Sequence, residues 1–278
     1  MRHTFITTSS GVKLSVRYSD GKKVPIILIH GLASNSMLYA LCGQLLEKGG
    51  YKVVMLDLRG HGLSDKPKVG YDFKTISLDI YDLISQLNLN DYLLVGQSWG
   101  ANVVLDYLSR YENKVKGGIL IDGGWINLRA HFTTFEQAAK VLAPPKFADV
   151  KYESLTSTIK SMHKDWPELS IKGTMENFDI NSDGSVRAKL SYENHMKILK
   201  ELYSDDPIGK ASKIKVPVLL IVAGQKTSEK LTDVNNLTAS LKVSKTEWFE
   251  NADHDIHAQH PTLVKDLIEA EIRNGIFS

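Results

Sequence analysis

The 278-residue chain contains a single cysteine, Cys42, and this scarcity excludes an internal disulfide framework. It also lacks a dominant charge sign, because 34 lysines and arginines are balanced by 32 aspartates and glutamates with no long basic run. We therefore expect no nucleic-acid or membrane-surface partner and, instead, a small-molecule one. The apolar runs are far too short to span a bilayer, and no apolar signal region follows Met1. A reducing, cytoplasmic location is expected, and the composition leaves the oligomeric state open.

The chain does contain a regular alternation of strand and helix patterns. Hydrophobic residues form 42% of it, enough for a substantial core. After a predicted hairpin over 4–18, short apolar segments alternate with helical patterns, which is typical of a mostly parallel sheet covered by helices on both faces. We predict strands over 24–29, 52–56, 92–95, 117–121, 216–222 and 245–249, and helices over 36–47, 75–87, 99–111, 232–241 and 261–274.

About ninety residues after Asp122 interrupt this alternation, which is too long for an ordinary loop of this fold class. We predict that residues 123–207 form an inserted, mainly helical lid domain, and that 1–122 and 208–278 form the core domain. A lid would shield a substrate pocket from water and shape substrate choice. The predicted lid elements are a helix over 134–142, a helical stripe of Leu155, Ile159, Met162 and Trp166, a hairpin over 178–190 and a helix over 192–202.

The stretch Gly96-Gln97-Ser98-Trp99-Gly100 lies between a predicted strand and a predicted helix. This is the pattern of a nucleophile elbow, in which a sharp turn raises a serine hydroxyl above the sheet edge. Glycine on both sides lets the strand and the helix approach each other closely. A serine in this position is suited to attack on a carbonyl carbon.

Four segments in this order resemble those of the α/β-hydrolase superfamily, over most of the chain. They are His30-Gly31-Leu32, the Asp-Leu-Arg-Gly-His-Gly-Leu-Ser-Asp segment at 57–65, the elbow at 96–100, and the histidine-rich loop at 251–261. The resemblance implies the α/β-hydrolase fold. It also implies that the first segment is an oxyanion loop and that the last supplies a catalytic histidine.

The same resemblance assigns roles to particular residues. Ser98 would be the nucleophile and His254 the general base, with His257 as the alternative base. The backbone N–H groups of Leu32 and Trp99 would form the oxyanion hole. No metal and no organic cofactor is implied. For His195, on a predicted lid helix, we favour a surface or internally satisfied position over the alternative, a position that faces the pocket.

The triad acid is the point at which this sequence departs from the superfamily's commonest pattern. Many members carry Gly-x-x-Asp after the strand predicted at 216–222, whereas this chain has Thr227 in the acid's position. Some relatives carry the acid one strand earlier, which here is Asp122. We therefore predict Asp122 as the acid, with Glu229 as the main alternative, followed by Asp233 and Asp255.

Together these residues predict a serine hydrolase that cleaves a carboxylic ester or lactone through an acyl-enzyme. Haloalkane dehalogenases and epoxide hydrolases also carry a tryptophan next to the nucleophile, as Trp99 is here, but their nucleophile is an aspartate. The serine at position 98 favours acyl chemistry instead. The alternatives are a C–C bond hydrolase, a cofactor-free lyase or a perhydrolase on the same triad. A further alternative is a slow-turnover receptor of the kind that binds butenolides and strigolactones in plants.

Overall fold

A computed structural model describes residues 1–278 and contains one eight-stranded sheet, with the strand order β1-β2-β4-β3-β5-β6-β9-β10. The pairs β1–β2 and β2–β4 are antiparallel, and all other neighbours are parallel. Two further strands, β7 and β8, form a separate antiparallel hairpin. The strands are β1 Arg2–Thr7, β2 Lys13–Tyr18, β3 Lys23–Ile29, β4 Tyr51–Leu56, β5 Tyr92–Gln97, β6 Val115–Ile121, β7 Phe178–Ile180, β8 Val186–Ala188, β9 Val218–Ala223 and β10 Ser244–Phe249.

Helices cover both faces of the sheet, and the predicted α/β-hydrolase fold is confirmed. Along β3, Ile27 and Ile29 belong to the hydrophobic core on one face, whereas Ile26 and Leu28 belong to the core on the other. This alternation follows from the two-residue period of a strand, and it explains why the strand is apolar throughout. The helices are α1 Ala40–Lys48, α2 Phe73–Gln86, α3 Trp99–Arg110, α4 Leu128–His131, α5 Phe135–Leu142, α6 Tyr152–Met162, α7 Glu168–Met175, α8 Tyr192–Tyr203, α9 Pro207–Ala211, α10 Ser228–Ser240, α11 Ile256–Gln259 and α12 Pro261–Arg273.

Two predicted helix starts differ from the structure. The helix predicted over 36–47 begins instead as a 3-10 helix, Ser36–Tyr39, before α1. Helix α10 begins four residues before the predicted start at 232, because the Thr227 hydroxyl accepts a hydrogen bond from the Lys230 N–H and caps the helix. No helix of the protein combines the length and the apolar character that crossing a bilayer requires.

Six helices and the β7–β8 hairpin lie between β6 and β9, and two details of this insertion differ from the prediction. Helix α6 ends at Met162, so Trp166 lies beyond it. Helix α7 was not predicted, because a proline such as Pro167 often marks the end of a helix. Proline also precedes or begins helices, and here Pro167 is the N-cap of α7.

The insertion packs directly on the core. The Asn35 side chain donates a hydrogen bond of 2.9 Å to the carbonyl oxygen of Gly173, on α7. A small hydrophobic cluster spans both parts of the chain. Its buried members are Leu38, Ile159, Trp166, Ile171, Met175 and Ala258. The division into a core domain and a lid domain over 123–207 stays a prediction.

Candidate active site

The turn at Ser98 joins the end of β5 to the start of α3 and is strained. Ser98 has φ of 55° and ψ of −125°, a conformation that L-residues rarely adopt. A Cβ atom at Gly96 would lie 2.3 Å from the carbonyl oxygen of Gly100, and one at Gly100 would lie 2.4 Å from that of His30. Only glycine fits at either position. The strand, turn and helix expected for a nucleophile elbow are therefore present.

Asp122 and His254 are hydrogen-bonded although 132 positions separate them in the chain. Asp122 directly follows β6, and its Oδ2 lies 2.6 Å from Nδ1 of His254, in the loop after β10. The other carboxylate oxygen, Oδ1, accepts a hydrogen bond of 3.1 Å from the Ala223 N–H and lies 2.7 Å from Nζ of Lys230. Asp122 is only 6% exposed, so nearly all of its partners are protein groups.

The charges around this pair shift both pKa values. Burial disfavours the Asp122 carboxylate, but the hydrogen bonds and charges of His254 and Lys230 outweigh it and lower the pKa of Asp122. Desolvation by the surrounding protein atoms disfavours the charged form of His254. The interactions with Asp122 and Asp255 outweigh this effect and raise the pKa of His254. Because the His254 side chain is 54% exposed, solvent weakens these interactions. The pair is arranged to stabilise an imidazolium beside a carboxylate.

Ser98 lies near this pair, but its hydroxyl makes no hydrogen bond with His254. Two observations show that Ser98 lies close to His254 and to the residue after Asp122. The Gln97 side chain donates a hydrogen bond of 3.4 Å to the His254 carbonyl oxygen, and a Cβ at Gly123 would lie 2.3 Å from the carbonyl oxygen of Ser98. Catalytic hydrogen bonds often tighten only when substrate binds.

The alternative acids make other contacts. Glu229 Oε1 lies 2.6 Å from Nδ1 of His131, and Asp233 Oδ2 lies 2.9 Å from Nε2 of the same ring. Neither carboxylate is hydrogen-bonded to His254. Asp255 follows His254 directly and acts on it through charge, without a hydrogen bond. Among the candidate acids, only Asp122 is hydrogen-bonded to the candidate base.

Three other histidines, His257, His30 and His61, are buried and make no hydrogen bond to a carboxylate. His257 is 1% exposed, makes no side-chain hydrogen bond and packs on Tyr39 with the ring centroids 4.2 Å apart. Burial lowers the pKa of His257 to about 3. His30 and His61 bond backbone groups, as expected for turn histidines.

Two backbone N–H groups are available near Ser98. The Leu32 N–H donates no hydrogen bond within the protein. Its neighbour Gly31 lies beside the nucleophile, since a Cβ there would be 3.3 Å from Cβ of Ser98. Trp99 is the first residue of α3, and first-turn N–H groups have no partner within the helix. The Leu32 N–H is thus unpaired within the protein, and the Trp99 N–H lies in the first turn of α3, where it has no partner within the helix.

A cavity of about 320 Å³ lies between the core and the insertion, next to the oxyanion loop. His61, which stacks on Trp99 with centroids 5.5 Å apart, forms part of its wall. His195 also lines this cavity, so the less favoured alternative, a position that faces the pocket, describes it. The cavity is lined by Ala33, Ser34, His61, Gly62, Pro144, Pro145, Phe147, Leu155, Ile159, Thr174, Asn177, Phe178, Ala188, Lys189, Leu190 and His195.

A larger cleft, of about 810 Å³, opens at the opposite end of the sheet. It is lined by Tyr92, the first residue of β5, whereas Ser98 follows the last residue of that strand. At about 3.3 Å per residue, this separates the cleft from Ser98 by roughly 20 Å. The smaller cavity is therefore the one that adjoins the candidate site.

Sequence reasoning missed Lys230, whose ammonium group contacts Asp122. One signal was available. A lysine in the first turn of a helix is disfavoured by the helix dipole, so its presence there suggests a partner elsewhere. The partner itself was not visible in the sequence, because 108 positions separate the two residues.

Comparisons with known proteins agree with the fold. A family profile described as alpha/beta hydrolase fold matches residues 24–261. A putative non-heme chloroperoxidase of Synechocystis is 32% identical over 44% of this chain and 45% of that protein. A 2-(acetamidomethylene)succinate hydrolase of Mesorhizobium japonicum is 34% identical over 40% of this chain and 39% of that protein. The matches thus span less than half the length of these curated relatives.

An esterase of Exiguobacterium antarcticum has a similar solved structure, with a TM-score of 0.75 over 98% of this chain and 100% of that one. At 22% identity, this likeness concerns the fold alone. The family profile covers most of the chain, including the elbow and the loop of His254. The chain therefore belongs to the alpha/beta hydrolase fold family, and this membership supports hydrolase activity.

Proposed function

We propose that this protein is a serine hydrolase that cleaves a carboxylic ester or lactone through an acyl-enzyme on Ser98. One observation carries the proposal: a strained serine turn lies at the same sheet edge as a hydrogen-bonded Asp122–His254 pair. A serine hydroxyl is a weak nucleophile at neutral pH and needs a base, which in turn needs an orienting group. The three residues supply these three functions.

In the proposed mechanism, the Ser98 hydroxyl attacks the carbonyl carbon while His254 Nε2 accepts its proton. The Asp122 carboxylate holds the Nδ1–H and stabilises the imidazolium that forms. The N–H groups of Leu32 and Trp99 donate to the oxyanion of the tetrahedral intermediate. The intermediate collapses, and His254 returns the proton to the leaving alcohol. Water, deprotonated by His254, then attacks the acyl-enzyme and releases the acid and the free serine.

The cavity next to the oxyanion loop is the proposed binding site for the apolar part of the substrate. The insertion would close over it as a lid and keep water from the reacting carbonyl. The Exiguobacterium antarcticum protein is named an esterase, and that name supports ester cleavage here as a proposal.

Covalent labelling tests the proposed nucleophile. We expect a fluorophosphonate to add one adduct per chain, located on Ser98 by peptide mass spectrometry, and Ser98→Ala to abolish both the adduct and hydrolysis of 4-nitrophenyl esters. Ser109, at the other end of α3, offers a matched control, and Ser109→Ala should keep both. Labelling at another residue, or none, would contradict the proposal.

A perhydrolase is a second candidate, favoured by the name of the Synechocystis relative, a putative non-heme chloroperoxidase. In this reaction hydrogen peroxide, instead of water, attacks the acyl-enzyme, and a peracid leaves. Adding hydrogen peroxide to the ester assay and measuring peracid separates the two candidates. If the yield of peracid exceeds that of the carboxylic acid at millimolar peroxide, the second candidate is supported.

A further inference from the structure

Lys230 makes close contacts that the proposed triad chemistry does not by itself require. It lies in the first turn of α10, and its Nζ is 2.7 Å from Asp122 Oδ1. The same ammonium donates a hydrogen bond of 2.5 Å to the carbonyl oxygen of Ala223, at the end of β9. Its side chain is 24% exposed. The cation is thus held between a strand end and the carboxylate.

The partners of Asp122 divide between its two oxygens. Oδ2 is bonded to His254, whereas Oδ1 is bonded to Lys230 and to the Ala223 N–H. Rotation of the carboxylate about χ2 would break contacts on both sides at once. Together with the Ala223 N–H, Lys230 therefore holds the plane of the carboxylate so that one oxygen faces the imidazole.

We propose that Lys230 is a positioning residue of the active site, which holds the plane of the Asp122 carboxylate toward His254 and places a positive charge beside the pair. This inference rests on the proposed function, in which His254 must be neutral to accept the serine proton. Apart from His254 itself, no cationic side chain contacts Asp122, so the role belongs to Lys230 alone.

Several charges face His254 from the elements around it. Asp122 and the adjacent Asp255 raise its pKa, and Lys230 lowers it. Further out, Asp253 accepts a hydrogen bond from the Trp166 indole and lies 3.5 Å from Nδ1 of His163. Lys230 is the nearest positive charge that offsets the carboxylates. Removing this charge should raise the pKa of His254 further, so that the base is protonated over a wider pH range.

The experiment compares Lys230→Met with Lys230→Arg. We expect the pKa of His254, measured from its imidazole resonances by NMR, to rise by about one unit in Lys230→Met, because the ammonium charge that lowers this pKa is lost. The acid limb of kcat/KM for a 4-nitrophenyl ester should move up by the same amount. Lys230→Arg keeps the charge, and we expect it to restore the wild-type pKa.

Lys226→Met is the matched control, since Lys226 pairs with exposed Glu250 and does not contact Asp122. It should leave the titration of His254 unchanged. If Lys230→Met unfolds, Lys230→Gln removes the same charge and keeps a hydrogen-bond donor. An unchanged pKa of His254 in the folded uncharged variant would overturn the proposal.

The NMR titration needs no turnover, so it separates this inference from the proposed function. If no ester is hydrolysed but the His254 pKa rises in Lys230→Met, the coupling holds and the reaction assigned to Ser98 is wrong. If esters are hydrolysed with an unchanged pKa, the proposed function holds and Lys230 has no positioning role.

Discussion

At the scale of single residues, the site depends on which carboxylate meets the imidazole. Asp122 is bonded to His254, and Glu229 is bonded to His131. We therefore expect Asp122→Asn to lower kcat/KM by about 10²- to 10⁴-fold, because an amide no longer favours the correct tautomer or stabilises the imidazolium. Glu229→Gln is the matched control and should stay within about twofold of wild type. Steady-state kinetics with one 4-nitrophenyl ester measures both, and the reverse ranking would reassign the acid.

The pH dependence is also a property of individual residues. His254 must be neutral to accept a proton, and its pKa is raised above the ordinary value of about 6.5. Activity should therefore be lost as the pH falls through this raised pKa and recovered above it. In Asp122→Asn the acid limb of the residual kcat/KM should move to lower pH, since a group that raises the pKa is gone. A limb that stays in place would show that Asp122 and His254 are not coupled in solution.

At the scale of elements, the contact of α7 with the 3-10 helix shows how the insertion is held. A Cβ at Gly173 would lie 2.4 Å from the carbonyl oxygen of Met37, and a backbone atom cannot move aside cheaply. We expect Gly173→Ala to lower the free energy of unfolding by about 1–3 kcal/mol, measured by urea denaturation. It should also change KM, because α7 carries Thr174, part of the cavity wall.

Gly184→Ala provides the control for this prediction. Gly184 lies in the turn of the β7–β8 hairpin with φ of 80° and open space around it. Its substitution should cost about 1 kcal/mol of backbone strain and leave KM unchanged. Equal kinetic effects of the two variants would mean that α7 does not pack on the core as described.

At the scale of the whole molecule, we expect the cavity between the core and the insertion to limit the size of the substrate. Burying one methylene group contributes about 0.8 kcal/mol, so kcat/KM should rise about fourfold per added acyl carbon until the cavity is full. Leu155→Trp narrows the cavity and should shift the optimum to shorter acyl chains. Rates across a series of 4-nitrophenyl esters measure this, with Val141→Ala, on the exposed face of α5, as the control. An optimum that Leu155→Trp leaves unchanged would mean that acyl chains bind elsewhere.

The sequence predicted well what depends on local pattern. The strands that form the sheet were predicted within a few residues, because short, continuous apolar segments bounded by turns are typical of buried strands. The elbow was predictable because only glycine is accommodated where a Cβ atom would lie 2.3 Å from a backbone carbonyl oxygen. Helix α7 was missed because Pro167 can end one helix or begin another. The sequence left open whether His195 faces a pocket, because the packing of one helix on another is not a local property.

The sequence by itself therefore determined the order of strands and helices, the alternation that covers both faces of the sheet, and the strained turn at Ser98. Only the tertiary structure decided that Asp122 contacts His254, that Glu229 contacts His131, and that Lys230 completes the carboxylate's set of partners. The physical reason is the separation along the chain over which each kind of interaction acts. Periodicity and steric fit act between residues close in the chain, whereas these contacts join positions more than ninety residues apart, which meet only after the sheet has formed.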